Sequence, residues 1–513
     1  SRYIASSLKM NSKFLTKWVD ENNKPVTEYL EFAEDVLSIP TAHNMVLQYS
    51  VLDSDKKSVI LLRPYQIHAI EAVREASKRQ ESGYIWHTTG SGKTLTSYKV
   101  ARNLLQIPAI EKTIFVVDRT DLDQQTTEAF TSYAENDIID VDETNNTNNL
   151  IDRLYSQDQT MIVTTKQKIN TMLNRFETWR KADRNIKKID RISKLKIAFV
   201  VDECHRAVSP QQKRKMETFF KSSLWYGFTG TPIFGENKKK TLGDLPATTK
   251  GQYGNELHNY TVKEAIDDKA VLGFQVEYKH TLSDETIDDI AKQATGKNPC
   301  DLESDEKEKL IPSSVYENQE HMIEVIKSIV NKSRKKLGFD NGVGQTYNAI
   351  LTTSSIKQAQ KYYELFKMLK NGELVDKDRE IVQIDEKTKR VLPDFPKVAV
   401  TYTVSENEED SSLNQDKMKE SIKDYNAEFG TKWSIENIKA YNADITKRMA
   451  RKEDYYQLRS NQLDIVIVRD RMLTGFDAPC LSTVFIDRPP QQLYDIIQTF
   501  SRTNRLYDKR KTY

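Results

Sequence analysis

The sequence predicts an α/β protein made of two tandem lobes, each a parallel sheet flanked by helices, with a short helical lead-in at the N-terminus. Three observations carry that prediction. Short apolar runs alternate with helical patterns from Ser58 to Val276, at Tyr84–Trp86, Thr113–Val117, Met161–Val163, Ile197–Val201 and Trp225–Phe228. The same rhythm returns at Asn348–Leu351, Lys397–Tyr402, Asp464–Val468 and Ser482–Ile486. Between the two sets lies Ser283–Lys309, dense in Asp, Glu and Lys and poor in apolar residues. Apolar runs of this length, bounded by polar loops and separated by helices, are what a sheet buried on both faces requires.

The expected division is a helical lead-in over 1–55, a first lobe over 56–272 and a second lobe over 273–513. In the lead-in, helical spacing of apolar residues runs around Phe14, Leu15, Trp18 and Val19, and again over Tyr29–Leu37. The segment 283–309 reads as a solvated insertion in the second lobe, and Thr144–Asn149 and Glu406–Asp410 as polar surface.

Bulk composition narrows the class without naming it. Hydrophobic residues make up 38% of the 513, enough for several packed cores. The 77 Lys and Arg nearly balance 75 Asp and Glu, so a net charge of +2 identifies no nucleic-acid binder, and any basic surface must be local. Cys204, Cys300 and Cys480 are odd in number and widely spaced, which fits neither a disulfide framework nor paired zinc ligands and points to a reducing, cytoplasmic compartment. The longest apolar runs fall far short of the ~20 residues a membrane span needs. The chain opens without Met or a signal pattern and stops just after a motif, so it reads as a piece of a longer protein.

The strongest local signal is His87-Thr88-Thr89-Gly90-Ser91-Gly92-Lys93-Thr94, placed after one apolar run and before a helical pattern. Gly90, Ser91 and Gly92 let the backbone curl so that its N–H groups face phosphates at the positive end of the following helix. Lys93 suits the β- and γ-phosphates, and the Thr94 hydroxyl suits Mg2+. The usual first glycine of this P-loop pattern is absent, His87 standing in its place. The loop makes both lobes candidates for the RecA-like type.

Asp202 and Glu203 follow the run Ile197–Val201, 109 residues after Lys93. A carboxylate at the C-terminal tip of a buried strand sits where open α/β sheets bind ligands. Asp202 is therefore a candidate Mg2+ ligand, and Glu203 a candidate for orienting and deprotonating the attacking water. An Asp-Glu pair alone is commonplace; the phosphate loop makes it a partner. Upstream, Leu62-Arg63-Pro64-Tyr65-Gln66 opens a helix, and the Gln66 amide carries the donor and acceptor that match an adenine edge. Near the tail, Gln498-Thr499-Phe500-Ser501-Arg502-Thr503-Asn504-Arg505 reads as helical, with Arg502 and Arg505 on one face. Arginine donors brought to a γ-phosphate would stabilise transition-state charge. A basic surface helix is the bland alternative.

Taken in order, these elements resemble a superfamily two helicase or translocase. The comparison runs through Arg63–Gln66, Gly90–Thr94, the DEAH-like Asp202–His205, Gly227-Phe228-Thr229-Gly230-Thr231-Pro232, Thr474-Gly475-Phe476-Asp477-Ala478-Pro479 and Gln498–Arg505. More narrowly, Trp86–Thr94, Val117–Gln125, Phe228–Phe234, Leu257–Ile266 and Leu473–Pro479 resemble the motor part of the R subunit of type I restriction–modification enzymes, over roughly 50–513.

The resemblance implies an ATP- and Mg2+-dependent translocase on double-stranded DNA, working with modification and specificity subunits and without a membrane. It places Arg63, Gln66, Gln498, Gly475 and Asp477 at the nucleotide, and gives Thr229 and Thr231 the coupling of hydrolysis to lobe motion. Arg119, Thr120, Thr164, Thr165, Thr352, Thr353 and Thr474 fall in loops that contact the DNA backbone by the same resemblance. It also implies a PD-(D/E)xK nuclease domain ahead of the motor. Asp305-Glu306-Lys307 matches that pattern's last letters but lacks a strand, so cleavage is expected from a part outside this chain. Two other readings stay open: a strand-separating helicase, and a non-catalytic nucleic-acid-binding scaffold.

Overall fold

The computed structural model describes residues 2–4, 15–17, 24–54, 57–117, 129–135, 141–143, 146–235, 243–279, 281–402, 411–469, 478–489 and 493–511. The chain divides into two units, Ser1–Ala270 and Val271–Tyr513.

The first unit opens with two short antiparallel pairs. Strand β1 (Arg2–Ile4) pairs with β2 (Leu15–Lys17), and β3 (Ser50–Asp53) with β4 (Ser58–Leu61). Leu15–Lys17 therefore corrects the helical reading around Phe14–Val19, whose other members lie outside the described residues. Periodicity cannot separate strand from helix in so short an apolar segment, and pairing decides it. The second expected stretch is helical, over Tyr29–Val36.

Seven parallel strands then build one sheet: β5 (Gly83–His87), β6 (Lys112–Val117), β7 (Val141–Glu143), β8 (Thr160–Thr165), β9 (Ile197–Val201), β10 (Ser223–Thr229) and β11 (Asn255–Tyr260). Their order across the sheet is β11-β5-β10-β9-β6-β8-β7. The central strands are buried at every residue, which is why their middles read as short apolar runs, Ile114–Val117, Met161–Val163 and Ile197–Val201. Successive side chains feed opposite faces. Ile114, Val116, Phe199 and Val201 pack with Phe176, Ile189 and Met216. Phe115, Val117, Ala198 and Val200 pack with Ile70, Val73, Tyr98 and Phe130. Each Val, Ile, Phe or Met among them stabilises the fold by ~1.5–3 kcal/mol through burial.

The second unit carries a four-stranded parallel sheet of β12 (Asn348–Thr353), β13 (Val398–Thr401), β14 (Ile465–Val468) and β15 (Leu481–Asp487), in the order β13-β14-β12-β15. Helices Gln319–Lys332, Ile356–Asn371 and Ile438–Ala450 cover it and close one apolar core. The charged insertion is solvated as expected, and it is largely helical. It forms helices Asp284–Thr295 and Ser304–Lys309, tied by Lys307 to Asp288 at 2.7 Å. Glu306 and Lys307 lie on a helix, the wrong context for a nuclease strand. The Asn-rich run is also a helix start: Asn146 accepts the Asn149 N–H at 2.9 Å and opens Thr147–Tyr155. Thr144, Asn145 and Glu406–Asp410 lie outside the described residues. Cys204, Cys300 and Cys480 are all free. Among the described residues no helix is long and apolar enough to cross a membrane.

Candidate nucleotide site

The first unit's parallel sheet directs the C-terminal ends of β5, β9 and β10 to one edge, and the residues singled out by sequence gather there. After β5 the chain turns through Gly90 (φ 92°) and Gly92 (φ 81°) and enters helix Lys93–Leu104. A side chain with a Cβ is strained in that region, so these two positions need glycine. Ser91 closes the loop on itself, its N–H and hydroxyl both donating to the Thr88 carbonyl at 3.3 and 2.7 Å. The first helical N–H groups lack intrahelical partners and point out of the turn, a ready anion site. Lys93 is largely buried and Thr94 partly so.

The helix Pro64–Lys78 holds this loop from behind. Pro64 presets the first helical φ. Gln66 Oε1 accepts the Arg63 N–H at 2.9 Å, and Gln66 Nε2 donates to Thr96 Oγ1 at 3.0 Å. The amide expected at an adenine edge thus braces its own helix start against the phosphate-loop helix. Tyr65 adds a second brace by donating its hydroxyl to the Ser91 carbonyl, with its ring stacked on Tyr260 at 3.7 Å.

Asp202 leaves the end of β9, two strands from β5 in the sheet order, which is ~10 Å in strand spacing. Burial pushes its carboxyl up to about 6, and the neighbouring Glu203 charge adds to the rise, while Lys93 opposes it. Glu203 adopts a left-handed backbone, φ 44°, at the start of helix Cys204–Ala207. A non-glycine residue held there stores strain, which proteins keep where a side chain must be aimed. Its carbonyl accepts the Arg206 and Ala207 N–H groups, both at 3.0 Å.

His205 joins this acidic turn to the next motif. Its Nδ1 lies 2.9 Å from Thr229 Oγ1 and 3.7 Å from Glu203 Oε2, and Thr229 Oγ1 accepts the Thr231 N–H at 3.0 Å. The Thr229-Gly230-Thr231 turn also presses on the phosphate loop. Trp86 Nε1 donates to the Gly230 carbonyl at 3.2 Å, and a Cβ at Gly230 would lie 3.0 Å from Thr89 Oγ1 and 3.3 Å from Lys93 Nζ.

Several of these contacts were invisible in the sequence. The Trp86 and Tyr65 braces have no motif, and His205 had no assigned partner. His87 had a signal, its place at the missing first glycine. It is fully buried, with Nε2 3.0 Å from His258 Nδ1, and burial, His258 and Lys93 hold it well below the usual imidazole range. Burial lowers His258 as well, and the contact ties the loop to edge strand β11.

The remaining expected residues are placed less simply. Thr164 and Thr165 end β8 and are buried, with Thr165 Oγ1 accepting the Lys168 N–H at 3.4 Å. Thr352 and Thr353 end β12, also buried, and donate to the carbonyls of Arg469 and Val468, each at 3.3 Å. These hydroxyls are engaged within the fold. Arg119, Thr120, Thr474, Gly475 and Asp477 lie outside the described residues. Gln498 lies in the last turn of a helix, Leu493–Phe500, that stops before the arginines. Arg502 and Arg505 thus sit in the turn and extended chain beyond, which corrects the shared helical face. Ser501 and Thr503 hydroxyls donate back to the carbonyls of Ile497 and Phe500 at 2.6 and 3.0 Å, competing with helix continuation, and the Asn504 carbonyl accepts Leu272 N–H at 2.7 Å.

The donor set fits a Mg2+–triphosphate. Mg2+ takes one or two protein oxygens and completes its shell with phosphates and water, and Asp202 and Thr94 are such oxygens. Among the described residues no group of three or more His, Cys, Asp or Glu could form a closed all-protein metal site.

Comparison with known proteins agrees with this geometry. The family descriptions SWI2/SNF2 ATPase and type I restriction enzyme subunit R domain 3 match residues 65–309 and 345–513. The type I restriction enzyme SsaAORF53P endonuclease subunit of Staphylococcus saprophyticus is 32% identical over all of this chain and 50% of its own length. The type I restriction enzyme SauMRSORF196P endonuclease subunit of Staphylococcus aureus is 31% identical over 97% of this chain and 48% of its own length. The chain thus spans about half the length of these relatives. A solved structure of the ATP-dependent type ISP restriction-modification enzyme LlaBIII bound to DNA shares the fold, with a TM-score of 0.50 at 14% identity, over 88% of this chain and 28% of that one. With a helicase-like ATPase in its first unit and the R-subunit domain in its second, this chain belongs to the type I restriction enzyme R subunit family.

Proposed function

We propose that this ATPase region is a motor that translocates double-stranded DNA before cleavage by a nuclease domain outside this chain. The observation that supports it best is the convergence of Lys93, Asp202, Glu203 and the Thr229-Gly230-Thr231 turn on one sheet edge, wired together by Trp86 and His205. A bare nucleotide-binding scaffold has no need of the wiring between hydrolytic carboxylate and turn.

In this reading Lys93 and the loop N–H groups of Gly90, Ser91 and Gly92 hold the phosphates. Thr94 and Asp202 hold Mg2+, which neutralises phosphate charge. Glu203 orients the attacking water and takes its proton, and Arg502 and Arg505, from the second unit, stabilise charge on the transferred phosphoryl group. Arg63 and Gln498 frame the nucleotide, with Gly475 and Asp477 beside it, and Gln66 acts from behind by bracing the phosphate-loop helix. Thr229 and Thr231 pass the state of the phosphate to the lobes. Arg119, Thr120 and Thr474 form the backbone grip, suited to a motor that ignores sequence because phosphates are the same everywhere, while the buried hydroxyls of Thr164, Thr165, Thr352 and Thr353 fix the strand ends from which such loops leave. The relatives' names as type I restriction endonuclease subunits support modification and specificity subunits as partners.

ATP turnover with and without duplex DNA, in the assembled complex, tests the reading against Lys93→Ala. Duplex-stimulated turnover in the parent, lost in the variant, together with triplex displacement, supports translocation. Strand separation in place of triplex displacement would move the assignment to a helicase, and absent turnover in both would leave a scaffold.

A further inference from the structure

The chain's net charge of +2 hides a strong local imbalance. Between Arg175 and Lys196 stand nine Lys and Arg against three Asp and Glu, so this stretch holds an excess of +6 and the rest of the chain carries −4. In the fold, helix Lys166–Lys181 turns through Asp183 (φ 52°) and Asn185 (φ 53°) into helix Ile186–Ser193. Ile189 and Ile192 are buried and fix one side of the second helix inward. Lys187, Arg191 and Lys194 follow at i, i+4 and i+7, and line a concavity of about 490 Å3 with Glu111, Asp190 and Leu195.

Two features mark this surface: its cations cluster on one helical corner, and part of that cluster is unpaired. Several cations elsewhere are neutralised in pairs, Lys327 by Glu324 and Asp376, Lys370 by Glu428, Arg459 by Asp394 and Asp464. Among the described residues Lys181, Arg184, Lys187 and Lys194 make no ion pair, while two acids lining the concavity are engaged, Asp190 by Arg180 at 3.5 Å and Glu111 by the Lys196 N–H at 2.9 Å. Arg191 is also held in place, its guanidinium 4.7 Å from the centre of the half-exposed Tyr155 ring, with Lys188 at 5.1 Å on the same ring. A cation oriented this way loses less freedom on binding.

The surface is distinct from the nucleotide edge. Lys196 and Glu111 directly precede β9 and β6, whereas Asp202 and the phosphate loop follow β9 and β5. With all strands parallel, the corner lies at the opposite edge of the sheet, a strand length of roughly 17 Å away.

We propose that this basic corner is a second contact surface for duplex DNA, reading its phosphate backbone; the inference rests on the motor reading for the choice of polyanion. Lys and Arg side chains that contact phosphates fix a protein on the duplex and carry no sequence information directly. The row from Lys187 to Lys194 is ~10 Å long at helical rise, enough to face about three phosphates of one strand. A backbone-only contact lets the duplex slide, so it retains DNA without arresting a motor.

The test combines Lys181→Gln, Arg184→Gln, Lys187→Gln, Arg191→Gln and Lys194→Gln in the intact subunit and measures duplex affinity as a function of salt. The expected result is a log–log salt slope flatter by about 3, at roughly 0.9 per lost phosphate contact, and affinity down by about tenfold or more at low salt. ATP turnover without DNA stays unchanged. A control carrying Lys357→Gln, Lys367→Gln, Lys370→Gln, Lys417→Gln and Lys419→Gln, all in the second unit, keeps the parental slope. An unchanged slope in the corner variant, or equal flattening in the control, overturns the proposal. Intact duplex binding with lost assembly onto the other subunits also overturns it, and assigns the corner to an acidic protein surface. Absent ATP turnover in the parent would remove the motor reading, while the salt slope would still decide whether the corner binds DNA.

Discussion

His205 Nδ1 stands 2.9 Å from Thr229 Oγ1, and that oxygen also accepts the Thr231 N–H. One hydroxyl thus joins the turn carrying Asp202 and Glu203 to the turn that lies beside Lys93. Thr229→Ala removes both bonds and leaves a buried imidazole nitrogen and a buried N–H to find other partners, at about 1–3 kcal/mol each. ATP turnover is expected to fall by at least ~10-fold, about the equivalent of one such loss. His205→Ala should give a similar loss, and the double variant little more than either single one, because both cut the same link. Additive losses in a kcat cycle of the four proteins would show that the link is not shared.

Gly230 gives the second prediction. Its missing side chain leaves room for Thr89 and the Lys93 ammonium, and a Cβ would approach them to 3.0 and 3.3 Å. Gly230→Ala must push one of them away, and Lys93 is the long, displaceable one. ATP turnover is expected to drop about tenfold, since sub-ångström misplacement of a positioning group is costly. The melting temperature should change little. An unaltered kcat and KM would mean that Lys93 is not set by this contact.

These two relationships show what sequence could and could not supply. Strands Lys112–Val117, Thr160–Thr165 and Ile197–Val201 are buried on both faces, so each announced itself as an apolar run. The edge strand Asn255–Tyr260 is half polar and Val141–Glu143 is short, and neither gave that signal. Lys93, Thr94, Asp202 and Glu203 stood out as candidates because loop, helix start and strand tip each impose a local residue pattern, and the fold places all four at one edge of the first sheet. The Trp86–Gly230 and His87–His258 bonds join residues 144 and 171 positions apart, and nothing local encodes them. The arginine segment misled for a different reason: its helical spacing is real, but Ser501 and Thr503 bond to the backbone and end the helix.

Asp202 should trade activity for stability. Its carboxyl is raised from 3.8 to about 6 by burial and by Glu203, so the folded state disfavours the charged form. For an acid raised on folding, the penalty is absent below the unfolded value, grows between about 4 and 6, and is complete above. Asp202→Asn is therefore expected to abolish ATP turnover and to raise the melting temperature at pH 8, measured with chelator present. The gain should shrink below pH 6 and vanish near pH 4. A variant less stable than the parent at pH 8 would show that the carboxylate is net stabilising where it stands.

Arg502 carries the remaining wager on chemistry. It is buried within the second unit just beyond the helix end at Phe500, and a guanidinium there presents a rigid fork that lysine cannot copy. If it neutralises charge that develops only during phosphoryl transfer, its loss lowers kcat and leaves nucleotide affinity alone. Arg502→Ala is expected to cut kcat by about 1,000-fold, the scale of arginine stabilisation in related chemistry, with less than a threefold change in the Kd of a non-hydrolysable ATP analogue. Arg502→Lys should recover little, since a point charge lacks the fork. A purely structural arginine predicts the reverse pattern: a lower melting temperature, partial rescue by lysine, and affinity and kcat declining together.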